Sequence, residues 1–154
     1  MENEKLNISP SNHDRFIDNG DGTVTDIEKS LMWNKTDSMN DLKKWVNYQE
    51  SGDYARGLNE KKYAGYDNWR LPQRDELSTI YDKAWSIKDK FGKDIHIHEC
   101  FAPGGGFSMI SDQTPGRMRT WVFNVRDGEY TQPDGLWTLA EAARAVRTIH
   151  KDDE

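Results

Sequence analysis

The sequence predicts a mixed fold of the α+β class. Three observations point there: a turn-rich run, DNGDG at 18–22, between short apolar or β-branched stretches; two segments with helical spacing of apolar residues; and the strand-forming TWVFNV at 120–125. With 154 residues, 34% of them hydrophobic and 31% charged, the chain can supply one modest core. The expected organisation is a polar arm over 1–14, one domain over 15–150 and an acidic tail over 151–154. Low mean hydropathy alone would suggest disorder, but six Trp, six Tyr and five Phe bring large apolar area per residue and favour a folded chain.

The first element is a β-hairpin within RFIDNGDGTVTDIEKSLMW at 15–33, because Asp-Gly supports the positive backbone dihedrals of a tight turn. Asp18, Asn19, Asp21 and Asp26 bring several oxygens together, yet the run lacks the EF-hand order with its terminal glutamate. Turn chemistry accounts for them without calcium. Ser38 or Asn40 then caps a helix through DLKKWVNYQE, with Leu42, Trp45, Val46 and Gln49 on one side. Gly52 and Gly57 mark the following SGDYARGLNEKKYAGYDNW as a packed loop fastened by Tyr54, Leu58 and Tyr63. After Pro72 a second helix over 73–83 places Leu77, Ile80, Tyr81 and Ala84 at helical spacing, and its charges anchor the Trp69-Arg70-Leu71-Pro72 turn.

Further along, Ile95-His96-Ile97-His98 alternates like a strand, with both histidines on one exposed face. Two histidines do not specify a metal site without a third ligand, so none is assigned, and Cys100 reads as a small core hydrophobe rather than a nucleophile. FAPGGG at 101–106 is a bend that lacks the Lys-Ser or Lys-Thr ending of a phosphate loop. Phe107, Met109 and Ile110 enter a strand. In the next strand Trp121, Phe123 and Val125 share the core-facing parity, opposite Val122 and Asn124, and Asp127-Gly128 turns it into a hairpin. The tail is open to two readings: LAEAARAV is a good helix former, while AVRTI would make a short closing strand.

Charge and composition narrow the function. Lys and Arg total 21 against 27 Asp and Glu, neither half is basic, and nucleic acid is not expected as a partner. No run of about 18 apolar residues marks a membrane span, so membrane insertion is not expected either. A single cysteine excludes an intrachain disulfide and fits a reducing compartment. With no apolar leader over 1–11, the sequence reads as cytoplasmic, and an extracellular or surface location is the alternative if a leader has been removed.

RFIDNGDGTVTD with Leu31-Met32-Trp33, and GYDNWRLPQRDEL at 65–77, resemble the two signature words of the C-terminal domain family named after the Legionella collagen-like protein. That family is related to the sulfatase-modifying-enzyme branch of C-type lectin-like folds. The resemblance spans about residues 16–149 and matches Trp33, Trp69, Arg70, Pro72, Arg74, Glu76, Leu77 and Trp121. It implies a C-type lectin-like fold, a twisted antiparallel sheet with two packed helices and long loops, and it selects the strand reading of the tail. It further implies that 15–33 and 121–125 share one sheet, braced by Trp33, Trp69 and Trp121. Departures occur at Ile27-Glu28-Lys29-Ser30, at FSMISD over 107–112, and at Ala145, where the family usually has a cysteine, so a closing disulfide is lost.

The function implied is recognition of a carbohydrate or protein ligand by the late loops, without catalysis or cofactor. Arg117, Arg119, Tyr130 and Trp137 are the candidate contact residues, with Asp112 and Asp134 as acceptors. Aromatic faces suit a sugar or a protein, and arginines give directed charge-assisted bonds. Each also has a plainer reading, Trp137 as structural and the arginines as solvated charges. Two alternatives stand beside it: a structural module that self-associates through its aromatic surface, and a metal-dependent oxidative enzyme using His96, His98 and a carboxylate.

Overall fold

The computed structural model describes residues 15–112, 119–133 and 135–150. Its strands are β1 (Phe16–Asp18), β2 (Thr23–Asp26), β3 (Leu31–Asn34), β4 (Ile87–Lys88), β5 (Asp94–Ile95), β6 (Ser108–Ile110), β7 (Val122–Asn124), β8 (Tyr130–Thr131) and β9 (Val146–Thr148). The helices are α1 (Ser38–Leu42), α2 (Tyr48–Glu60) and α3 (Arg74–Leu77). This is an α+β architecture in which every sheet is antiparallel.

The strands form three sheets, not one: β1-β2-β3-β9, β4-β5 and β6-β7-β8. The expected common sheet for 15–33 and 121–125 is therefore corrected. The reason is edge occupancy, since β3 is flanked by β2 and β9 while β7 is flanked by β6 and β8. The two sheets meet through side chains instead, and Phe16, Val24, Leu31 and Trp33 share a core with Met109, Phe123 and Val125. Val122 is buried as well, so the parity expected for β7 holds for Phe123 and Val125 but does not leave Val122 in solvent. Trp33 and Trp69 are core residues, whereas Trp121 is half-buried beneath the Arg74 guanidinium at 4.1 Å.

The first hairpin forms as read. Gly20 and Gly22 take φ of 81° and 93°. Asp18 Oδ1 accepts from the Gly20 N–H, and Asp21 Oδ1 accepts from the Thr23 N–H and hydroxyl. Asp26 is wholly buried and receives the Arg15 fork at 3.0 and 2.8 Å together with the N–H groups of Glu28 and Lys29. These carboxylates are occupied in closing turns.

The helices depart most from expectation. The one expected through DLKKWVNYQE is two: α1, capped by Asp37, ends where Lys43 turns left-handed at φ 64°, and α2 begins after Asn47. Between them Val46 pairs as an extended residue with Glu141. The segment expected as a loop is the long helix α2. Reciprocal bonds between Asn47 and Glu50 nucleate it, and Ser51, Ala55 and Leu58, spaced by four and three, are its buried residues. Burial of that face outweighs the two helix glycines, each costing roughly 0.5–1 kcal/mol. The helix expected over 73–83 stops at Leu77, passes through a 3₁₀ turn (Ser78–Ile80), and Tyr81 pairs with Ile97. Its anchoring role holds, because Arg70 forks onto Glu76 at 2.8 and 3.0 Å and reaches Thr148 at 2.8 Å.

The IHIH face is not exposed. His98 is buried against Phe16 and Trp85 and accepts the Cys100 N–H at Nδ1, and His96 is half-buried with Nδ1 2.8 Å from the Trp85 carbonyl. The Trp85 ring and carbonyl cover what alternation left open. The tail adopts its strand reading: β9 pairs with β3 from Leu31↔Thr148 to Trp33↔Val146. Ahead of it Ala142, Ala143 and Ala145 are fully buried and bond to Ile110, Ser38 and Asn34, so tertiary pairing overrides their helix propensity.

Candidate functional site

A groove of about 390 Å³ runs between α2 and the 3₁₀ turn Leu136–Thr138, closed at one end by the Trp69-Arg70-Leu71 segment. Helix α2 supplies Tyr48, Gln49, Gly52, Ala55 and Arg56, and the far side carries Asp112 and Trp137. Trp137 is 55% exposed, an unusual position for an indole, and its backbone carbonyl accepts from Asn47 Nδ2 at 3.4 Å. A Cβ at Gly52 would meet the Arg56 guanidinium at 3.5 Å, an ordinary contact, so glycine leaves this part of the lining without a side chain.

Electrostatics in the groove are set by partners on the rim. Burial pushes the Tyr48 phenol above its ordinary range, and the negative charge of Asp112 adds to this, so the hydroxyl stays protonated as a donor. Arg70 is fixed by Glu76 and Thr148. Burial works against ionisation of Glu76, yet bonds from Arg70 and the Gln73 N–H hold its carboxyl below the usual range. Arg56 is exposed and pairs with Asp53 one turn away. Asp112 is exposed, with its N–H tied to the Pro72 carbonyl at 2.7 Å. The arrangement offers a flat aromatic face, a phenolic donor, guanidinium donors and a carboxylate acceptor around an open trough, groups able to make polar and stacking contacts.

The structure brings Asp112 and Trp137 to this groove. Tyr130 is placed elsewhere: its ring packs 4.9 Å from Phe123 and its hydroxyl donates to the Arg74 carbonyl at 2.6 Å. Asp112 also lines a neighbouring recess with Gln73, Arg74 and Asp75. Arg119 is exposed just before Thr120, and Arg117 and Asp134 lie outside the described residues. Tyr48, Arg56 and Arg70 were missed as groove residues. The signal that would have found the first two is Asn47-x-x-Glu50, a helix start that turns an apparent loop into one wall.

A larger cleft of about 840 Å³ lies along the other flank of α2, with Asp41, Tyr54, Gly57 and Tyr63 in its lining. Its central hydroxyl is committed, because Tyr54 donates to Asp41 at 2.6 Å and accepts from Asn34 at 3.1 Å. Burial first and Asp41 second push that phenol strongly upward. Among the described residues no group of three or more His, Cys, Asp or Glu side chains is placed to hold a metal ion, and no helix is long and apolar enough to cross a membrane. Burial also raises the Cys100 thiol, opposite to the activation a nucleophile needs.

No curated protein matches the chain. The family model described as the Lcl C-terminal domain matches residues 22–147, a span that contains the second signature word whole, the first from Gly22 onward, strand β9 up to Arg147 and every residue of the groove, and the chain belongs to that family.

Proposed function

We propose that this domain is a non-catalytic recognition module that binds a carbohydrate or protein partner in the Trp137 groove. The observation that carries the reading is the exposed Trp137 indole facing a trough with Tyr48, Arg70 and Asp112 around it. An indole left in solvent offers a face for a sugar ring or an apolar side chain, and the flanking donors and acceptor orient what stacks there. A C-type lectin-like arrangement, with loops carried on a rigid body, belongs to the same reading.

The test is an unbiased glycan and protein-interaction screen followed by titration of each hit. Trp137→Ala is expected to weaken binding roughly tenfold or more. Asp112→Asn is expected to have a smaller effect, and both variants should leave the melting temperature in place. Unchanged affinity in Trp137→Ala would overturn the assignment.

A further inference from the structure

Aromatic side chains gather at a second place, away from the groove. Phe91 is 56% exposed at the tip of the β4–β5 hairpin and lies against Trp45, which follows α1. Trp45 stacks on Phe91 with centroids 6.5 Å apart and planes 25° from parallel, and meets the edge of Phe107 at 5.1 Å. The Lys90 ammonium lies 5.2 Å from the Phe91 ring and 6.0 Å from Trp45. Two loops distant in sequence therefore present one surface. It is built in advance: the hairpin is tied to the glycine run by Gly104 N–H to Lys88 O and Lys90 N–H to Gly105 O, both 2.8 Å, and Gly106 admits the Trp45 ring where a Cβ would crowd it at 3.0 Å.

Both segments that carry these rings are rich in lysine, and Lys90 lies nearest the rings. Lys43, Lys44, Lys88, Lys90 and Lys93 are all exposed. Lys44 pairs with Glu50 and Lys88 with Asp94, both on the surface where such pairs contribute little. Among the described residues Lys43, Lys90 and Lys93 make no ion pair. The remaining acid of the hairpin, Asp89, is buried and spends its charge beneath the surface, accepting from the N–H groups of Phe91 and Lys93 and from Arg126 at 2.9 and 2.7 Å. In a chain of net charge −6 this is a local reversal of sign.

We propose that this patch docks the protein peripherally on an anionic lipid bilayer. Phe91, backed by Trp45, enters the headgroup boundary, and Lys43, Lys90 and Lys93 meet the lipid phosphates and carboxylates. The layering carries the argument: an apolar ring at the apex, with ammonium groups on flexible stems in the same two segments, matches the change from hydrocarbon to charge across the interface. A soluble polyanion is held chiefly through the lysines, so its binding depends less on the apex ring than insertion into a bilayer interface does. The contact is superficial, with no segment crossing the bilayer, and it is independent of the Trp137 groove. Each lysine at the anionic surface contributes roughly fivefold to partitioning, and the whole is salt-sensitive.

The experiment is co-sedimentation of the full chain with vesicles of phosphatidylcholine alone and of phosphatidylcholine with about one-third phosphatidylserine, alongside titration with dextran sulfate. Adsorption is expected on the anionic vesicles alone, falling roughly twentyfold or more in the double variant Lys90→Gln, Lys93→Gln. Phe91→Ser is expected to reduce it several-fold with an unchanged melting temperature. Absence of adsorption overturns the proposal. So does adsorption indifferent to Phe91→Ser, which with equal binding to dextran sulfate assigns the patch to soluble polyanions.

Discussion

Strand β3 is held at both ends by a buried aspartate and an arginine, but the two ends are built differently. Before β3, Asp26 and Arg15 bond directly through a two-pronged fork, and the remaining acceptor capacity of the carboxylate goes to two backbone N–H groups. After β3, Asp37 and Arg144 are 3.9 Å apart and both buried, and each spends its hydrogen bonds on the backbone: Asp37 on Asn40 and Gly106, Arg144 on the carbonyls of Asn34 and Lys35. The first end is a pair of partners. The second is two backbone clamps that neutralise each other at a distance, with Arg144 stacked 4.9 Å from Phe101 and its Nε unpartnered. Burial lowers the Arg144 guanidinium and the Asp37 charge opposes that. A clamp of this kind ties several segments together, so losing it costs more than losing a pair whose arginine reaches water.

The largest effect is expected from Asp37→Ala, which removes the α1 cap, orphans the Gly106 N–H and leaves Arg144 buried without its counter-charge. We expect about 3–5 kcal/mol of destabilisation in urea denaturation. Asp26→Ala is expected to cost about 2–3 kcal/mol, since Arg15 retains the Thr79 carbonyl and some solvent. A larger loss at Asp26 than at Asp37 would reverse the comparison.

Acid titration sharpens it further. Burial works against ionisation of Asp89, but the Lys93 N–H and Arg126 hold its carboxyl low, as Arg70 does for Glu76. A carboxylate lowered on folding adds stability that is complete above its unfolded value, near about 4, and is lost as pH falls through the folded value. Burial raises Glu141, so its contribution has the opposite sign, a cost above its folded value that disappears in acid. Melting profiles across pH should therefore flatten in Glu76→Gln, while Glu141→Gln should gain stability at neutral pH. The smallest change is expected in α2, where a Cβ at Gly57 meets nothing within 4 Å. Gly57→Ala should stabilise by roughly 0.5–1 kcal/mol in the same denaturation assay.

What could be read from the sequence followed the range of the interaction. The first hairpin was legible because DNGDG closes its own turn, and so was the β7–β8 hairpin around Gly128, at φ 77°. Helix α2 was not, because Gly52 and Gly57 mask a pattern whose meaning comes from the Asn47–Glu50 cap and from the core beneath it. The groove suffered in turn. Trp137 and Asp112 were legible as residue types, but the wall opposite them lay in the segment taken for a loop. His98 was misplaced for a related reason, since alternation assigns a face to a side chain but cannot show that Phe16 and Trp85 cover it. The division into separate sheets depends on which strand edges are already taken, a property of the whole assembly.

The long separation along the chain between β3 and its partner β9 sets an order of events. Residues 31–33 wait for 146–148 before their sheet is complete, so the ribosome delivers the closing strand more than a hundred residues after the strand it joins. Closure of so long a loop is slow relative to the local hairpins. During synthesis the exposed edge of β3 is the hazard a cell must manage, and a nascent chain halted before Val146 would present it to neighbours.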